Sequence, residues 1–310
     1  MADKDNEKKL QKYVEEKEEK QVGPEITEVK TTNLPWQKSE EKISMGNQVG
    51  WQKIPIQDLP TKGLFYPIGA EISIRSATSN EIRHWSTLQE DDLSVLDDML
   101  NYVLERCIAF KIGEKTTSWK DLKEIDRFYI LLAIREYTFI KGENKLQVPI
   151  SETEKIDVHK GMIDYINFDE RLMKYYSPEK RCFELEFKTG KVILVTIPSV
   201  GVTQFLKNYI NRKQQLQQMI DTDFITFAPF VILDWKGLSD STYEKIVIDS
   251  NNWSIEEISV LTHLKDLFIE TVNPVIKYTD SGGAERTAPL NFLGGIKSIF
   301  LISDPFGQLV

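Results

Sequence analysis

The sequence predicts an α+β fold: a helical block followed by antiparallel hairpins and further helices, with a disordered N-terminal tail. Three observations carry this prediction. Leu96, Met99, Leu100, Val103, Leu104, Cys107 and Ile108 recur at three- and four-residue spacing, the stripe of a helix facing a core. Residues 183–188 alternate strictly, turn at Thr189-Gly190 and continue into an apolar run to Pro198, which reads as a hairpin. Residues 4–20 are almost wholly Lys, Glu, Asp and Gln, and such a stretch cannot bury enough surface to offset chain entropy.

The elements follow in order from the same rules. The expected domains are a charged tail at 1–45, a helix-rich domain at 46–160 and a mixed α+β domain at 161–310. Within the tail, Pro24, Pro35 and scattered Thr and Ser surround Trp36, so it is either a solubilising leader or a tether that anchors through Trp36. Residues 59–67, Leu-Pro-Thr-Lys-Gly-Leu-Phe-Tyr-Pro, make a rigid turn, because proline fixes the backbone and Gly63 permits a positive φ. Residues 70–75 alternate like a half-buried strand. Thr78 and Glu81 have capping-box spacing and open a helix. A further helix is expected from Ser118 through Leu122, Ile125, Phe128, Tyr129 and Leu132 to Arg135, so that residues 77–136 read as mainly helical. Residues 137–158 suggest short antiparallel strands or a protruding loop. Beyond the central hairpin, a helix is expected over 203–220 with Phe205, Tyr209, Leu216 and Met219, around a Gln-rich stretch at 214–218. Capping boxes at Ser241–Glu244 and Ser254–Glu257 start two more, the second carrying Ile258, Leu261, Leu264, Phe268 and Val272. A hairpin at 275–290 turns at Gly282-Gly283. Residues 292–310 are apolar almost throughout, which requires burial in the chain's own core or in a partner's groove.

Composition narrows the function classes. The 310 residues are 41% hydrophobic and 28% charged, ordinary for a globular chain. The net charge of -9 and pI of about 5.1 repel a phosphate backbone, and the basic clusters, such as Lys207, Arg212 and Lys213, are short. Nucleic acid is therefore not expected as a partner. No run approaches the ~20 apolar residues of a spanning helix, and the first residues lack the apolar stretch of a signal peptide. The expected location is a cytosol. Cys107 reads as a small buried thiol on a helical stripe, and two isolated cysteines do not make a disulfide framework.

The chemical motifs sought are not found in the sequence. His84, His159 and His263 lack HExxH-type spacing, and His84 and His263 read as structural histidines beside apolar neighbours. Gly294-Gly295 lacks the spacing of a P-loop, and there is no GxSxG elbow. Acidic pairs such as Asp97-Asp98 read as solvated helix faces. No catalytic residue, metal ligand or cofactor is assigned.

The turn at 59–67, the strand Ile72-Ser-Ile-Arg75, Glu81-Ile82 and the run Asp126-Arg-Phe-Tyr-Ile-Leu-Leu-Ala-Ile-Arg135 together resemble the baseplate hub assembly proteins of T4-like tailed phages. That family's pattern is an LPS-x-G-x-x-YP turn, an I-x-I-R strand and a helical block with an acidic residue ahead of an aliphatic run and an Arg. The likeness covers roughly residues 55–140. Thr61 stands where the pattern favours Ser. Some relatives carry cysteine pairs after the helical block; residues 137–160 have none, so no metal-linked feature is carried over.

The resemblance implies a non-enzymatic hub component or hub assembly factor, acting on other baseplate proteins in the host cytoplasm during assembly or within the virion tail. The partner-contact candidates are Leu59, Pro60, Gly63, Phe65, Tyr66 and Pro67 of the turn, Trp36 of the tail, and Phe300, Phe306 and Leu309 of the apolar end. The turn can equally serve as a capped lead into the core. The alternative function is a cytosolic enzyme with a site of dispersed Asp, Glu and His. If the apolar end is a packing element, deletion of Phe306–Val310 should cause aggregation or loss of partner binding. A truncated chain that stays monodisperse in sedimentation and binds every partner would refute that role.

Overall fold

Alternating burial organises the first strands of the computed structural model. It describes residues 50–87, 93–139, 146–151, 154–163, 170–220, 222–250, 252–272, 275–280, 282–289 and 299–300. The tail at 1–45 with Trp36, and Phe306 and Leu309, lie outside the described residues. β1 (Trp51–Ile54) pairs antiparallel with β2 (Ala70–Arg75), placing Ile54 opposite Ile72. In β2, Ile72 and Ile74 are buried while Glu71 is exposed, the period-two pattern of the pleat.

α1 (Ser79–Ser86) starts at the expected capping box: the Thr78 N–H donates to Glu81 Oε2 at 2.7 Å, and the Glu81 N–H to Thr78 Oγ1 at 3.4 Å. Arg75 closes the same corner, its Nη1 and Nη2 lying 3.0 and 2.6 Å from the two Glu81 carboxylate oxygens. Burial opposes that carboxylate, but the bonds from Arg75 and Thr78 outweigh it and lower the pKa to about 2.

The helical stripe becomes α2 (Leu93–Cys107), with Leu100, Val103, Leu104 and Cys107 buried. It stops one residue early. Ile108 opens β3 (Ile108–Ile112), which returns through Gly113-Glu114 to β4 (Lys115–Thr117). The expected helical block therefore contains two strands, and β1-β2-β3-β4 form an antiparallel meander.

The expected helix from Ser118 also gives way. Two 3-10 turns, Trp119–Asp121 and Glu124–Asp126, flank an extended Leu122-Lys123 before α3 (Arg127–Thr138) begins. The Ser118 Oγ does accept from the Lys120 N–H at 3.2 Å. However, Lys123 bridges to Ser199, and the Glu124 N–H donates to the Pro198 carbonyl at 2.9 Å. These tertiary backbone bonds replace the helical ones. In α3 every residue from Tyr129 to Arg135 is buried, as a helix covered on several sides must be.

The short strands expected after Tyr137 are β5 (Leu146–Pro149) and β6 (Lys155–Val158), an antiparallel pair. After α4 (Glu170–Met173), β7 (Tyr176–Ser177), β8 (Cys182–Glu186) and β9 (Val192–Val195) form a three-stranded sheet that includes the expected hairpin. α5 (Val200–Gln215) starts at a Ser199 cap, ahead of the expected position, and ends before Leu216 and Met219, which are exposed. α6 (Thr222–Val231) holds Pro229 and corresponds to no expected element. α7 (Asp240–Ser250) is capped by Ser239, whose Oγ accepts from the Thr242 N–H at 3.3 Å, instead of by the expected box at Ser241–Glu244. α8 (Ile255–Val272) does begin at its expected box, with Ser254 and Glu257 bonded both ways. β10 (Val275–Thr279) and β11 (Glu285–Pro289) form the last hairpin.

Val49–Val310 groups as one compact unit. Its first core joins Trp85, Leu104, Phe110 and Ile130 to Leu146, Ile163, Val200 and Phe300, so it draws on both sides of position 160. A second core centres on Phe183, Val195, Ile197 and Leu261. Among the described residues no helix is long and apolar enough to cross a membrane.

Glu81→Gln keeps a side chain able to complete the cap but removes the charge facing Arg75. We expect a loss of about 1–2 kcal/mol at neutral pH. Because the folded pKa is depressed, the contribution is complete above the unfolded value of about 4.5 and disappears as pH falls towards 2. Urea unfolding at stepped pH should show the variant and wild type converging across that window.

Candidate functional site

The Pro/Gly/aromatic turn is a chain of tight turns held at both ends. The Lys62 N–H donates to the Leu59 carbonyl at 2.7 Å and the Tyr66 N–H to the Gly63 carbonyl at 3.2 Å. Gly63 has φ 75, and a Cβ there would lie 2.5 Å from Ile56 Cγ2, so both the backbone and the available space require glycine.

A buried carboxylate anchors this turn to the start of α3. Asp126 Oδ1 accepts from the Thr61 N–H at 2.9 Å, and Oδ2 accepts from the Thr61 hydroxyl and the Tyr66 hydroxyl, each at 2.7 Å. The Tyr66 oxygen in turn accepts from the Lys123 N–H at 2.9 Å. Burial raises the Asp126 pKa to about 6, against the pull of the Tyr66 and Thr61 bonds. At neutral pH it is thus the ionised acceptor that the three donors need. Burial, reinforced by the Asp126 charge, raises the Tyr66 phenol well above its ordinary value, so it stays a donor. Alongside, Arg127 binds Asp97 and Glu124, each at 2.8 Å, and Lys207 reaches Asp97 at 2.8 Å. Burial opposes the Asp97 carboxylate, but the two cations hold it below its ordinary range.

This anchoring redirects the expected contact residues. Leu59, Pro60, Phe65 and Tyr66 are buried and Gly63 is half-buried, leaving Pro67 exposed. Phe65, only 3% exposed, packs edge-on against Tyr176 and Phe183 in the second core. Tyr66, 2% exposed, packs against Phe110 in the first. The aromatics are therefore a lead into the cores, and the apolar surface offered outward is Pro67 and Ile68, the latter at 85% exposure. Phe300 is likewise internal, its ring 4.8 Å from that of Trp85.

Behind the turn lies a cavity of about 500 Å³, lined by Phe65, Tyr66, Pro67 and Ile68 and by Asp121, Lys123, Arg181, Thr196, Leu233 and Trp235 among others. Lys123 is 7% exposed. Its Nζ donates to the Ile197 carbonyl at 3.0 Å and lies 3.5 Å from Thr196 Oγ1. Burial lowers its pKa to about 8, with Asp126 the strongest opposing charge. Asp121 accepts from Trp235 Nε1 at 2.6 Å, from Lys236 Nζ at 3.0 Å and from the Thr117 hydroxyl. Trp235 can lie there because residue 201 is glycine: a Cβ would come within 2.5 Å of the indole. Arg181, half-buried on another wall, sits at φ 56, with its N–H donating to the Ser177 carbonyl at 2.8 Å.

The remaining expected residues fall elsewhere. His84 lies against Tyr102 with centroids 4.2 Å apart, and His263 is on the wall of a different, shallow apolar cavity. Both have apolar neighbours as expected, but both are exposed. His159 Nδ1 accepts from the Gly161 N–H at 3.2 Å. Cys107 is buried as expected, and burial raises its thiol pKa to about 12. Among the described residues no three His, Cys, Asp or Glu side chains gather as a metal-ligand group.

Lys123, Arg181 and Trp235 carry no local signal of a site. In the expected helix Lys123 lies off the apolar stripe; the bridge to Ser199 and the bonds to Tyr66 and Pro198 hold its segment extended instead. Comparison with protein-family models, curated proteins and solved structures finds no match.

Asp126→Asn presents an amide N–H to groups that are themselves donors and should cost about 2–4 kcal/mol. Tyr66→Phe leaves the Lys123 N–H without its acceptor and should cost about 1–3 kcal/mol. In denaturant unfolding, the double variant should lose less than the sum, with a coupling of about 0.5–3 kcal/mol. Strict additivity would show that the pair does not act as a unit.

Proposed function

We propose that this chain is a non-enzymatic part of a phage tail baseplate hub, either built into it or released as an assembly factor, and that it works through protein–protein contacts. One observation carries the reading: the segments that resemble the hub assembly proteins are tied to one another in pairs by side chains of the likeness, with Thr61 supplying the hydroxyl where the pattern has Ser. Thr61 and Tyr66 of the turn bind Asp126, which leads the aliphatic helix. Arg75, which ends the strand motif, pairs with Glu81. The bonds from Thr61 and Tyr66 to Asp126, 65 and 60 residues away, support a common scaffold more strongly than three short motifs taken separately.

The surface supplies material for contacts. Ile68 stands at the turn, Leu216 and Met219 follow α5, and Ile255, Ile258 and Val260 are exposed at the start of α8. Exposed apolar side chains gain free energy when a partner covers them. The partners in this reading are other baseplate or hub proteins. The site of action is the host cytoplasm during assembly and, for a retained part, the virion tail.

Quantitative mass spectrometry of purified phage particles against infected-cell lysate tests this. A fixed, low copy number in particles identifies a retained part; abundance in the lysate with none in particles identifies a released factor. Absence from both overturns the proposal and brings forward the enzyme with dispersed Asp, Glu and His.

A further inference from the structure

The cavity behind the turn is lined by cationic groups that, among the described residues, make no hydrogen-bonded ion pair. Lys123 has three N–H donors. One carbonyl at 3.0 Å and a hydroxyl at 3.5 Å are their partners among the described residues, and the second distance is long for a hydrogen bond. Among the described residues neither nearby carboxylate forms a hydrogen bond to it; both act on it by charge alone. Asp126 spends its oxygens on Thr61 and Tyr66, and Asp121 spends its own on Trp235, Lys236 and Thr117. Their charges offset part of the cost of holding the ammonium out of water, yet burial still lowers the Lys123 pKa to about 8.

A second cation shares the cavity. Arg181 lines it, and among the described residues its guanidinium forms no ion pair. The other basic lining residues are already matched: Lys180 pairs with Glu184, and Lys236 with Asp121. Glu179 and Asp234 also line the cavity, but both are exposed, where water screens them. Phe65, Pro67, Ile68 and Leu233 contribute apolar wall. A volume of about 500 Å³ lies within the range of small-molecule sites, in which apolar walls hold the body of a ligand and a few polar groups orient it.

We propose that this cavity binds an organic carboxylate with an apolar body, its anion seated at Lys123 beside Arg181. The ammonium offers a point charge and the guanidinium a planar fork, and the two are complementary to a carboxylate's pair of oxygens. The carboxylate is supplied either by a free small molecule or by an acidic side chain of a partner polypeptide, since the chemistry at Lys123 is the same. The inference stands on the cavity alone and holds whatever becomes of the baseplate reading.

Isothermal titration of the full chain decides it. The probes are phenylacetate and N-acetyl-Phe-Glu-amide, each against its neutral counterpart, phenylacetamide and N-acetyl-Phe-Gln-amide. At least one acid should bind saturably, and at least ten-fold more tightly than its amide. Lys123→Met should weaken that binding at least ten-fold. Arg181→Met, at a half-exposed position, should weaken it several-fold and keeps the test decisive if the first variant fails to fold. Tighter binding of phenylacetate assigns the site to a free ligand; tighter binding of the glutamyl probe assigns it to a partner's side chain. Equal affinity for acids and amides, no saturable binding of any probe, or unchanged affinity in the folded variants overturns the proposal.

Discussion

A single buried carboxylate, Asp126, fixes where the first turn can sit. Its two oxygens collect three donors from the turn, and the phenol that supplies one of them also accepts from the Lys123 backbone. A group this deeply buried is stabilising only when its bonding capacity is met. The surrounding segments are therefore held to a narrow geometry: the turn cannot shift, Leu122-Lys123 cannot become helical, and α3 must begin at Arg127. The cavity inherits its shape from the same constraint, since the turn forms one wall and the extended segment delivers Lys123 to another.

The cavity joins elements distant in the chain. The turn, the segment before α3, the loop between β7 and β8, the segment after β9 and the segment after α6 each contribute side chains. Close approach completes it, since Trp235 reaches its place only over the bare backbone of Gly201. Its charge pattern follows from that assembly. Among the described residues the carboxylates nearest the buried lysine spend their oxygens on other donors, so they meet its charge without bonding its N–H groups.

What was legible in the sequence was local. The stripe of α2, the boxes at Thr78 and Ser254, and the hairpins around Gly190 and Gly282-Gly283 depend on residues a few positions apart, and periodicity or capping chemistry exposes them. What was illegible depended on distant partners. Ile108 extends the helical stripe by spacing, yet its pairing with Ile74 makes it the first residue of a strand. The run Thr222–Val231 of α6 is mostly apolar without a helical stripe to read, and its Pro229 argues against a helix. The turn was recognisable as rigid and aromatic, but not the direction in which Phe65 and Tyr66 point, because that depends on Asp126. Of the candidate site, the sequence singled out the turn, and Asp126 only as the acidic residue of the family likeness, while Lys123 and Arg181 acquire meaning only from the walls around them.

Phe65 and Tyr66 are neighbours in the chain, yet each belongs to a different core. The peptide between them is thus a mechanical coupling: neither core can loosen at this point without dragging on the other. Local opening on one side is transmitted through a link too short to absorb it, and the stabilities of the two cores become interdependent. Cooperativity across the unit then rests on two adjacent rings facing opposite ways, with the hydrogen bonds around Asp126 keeping them there.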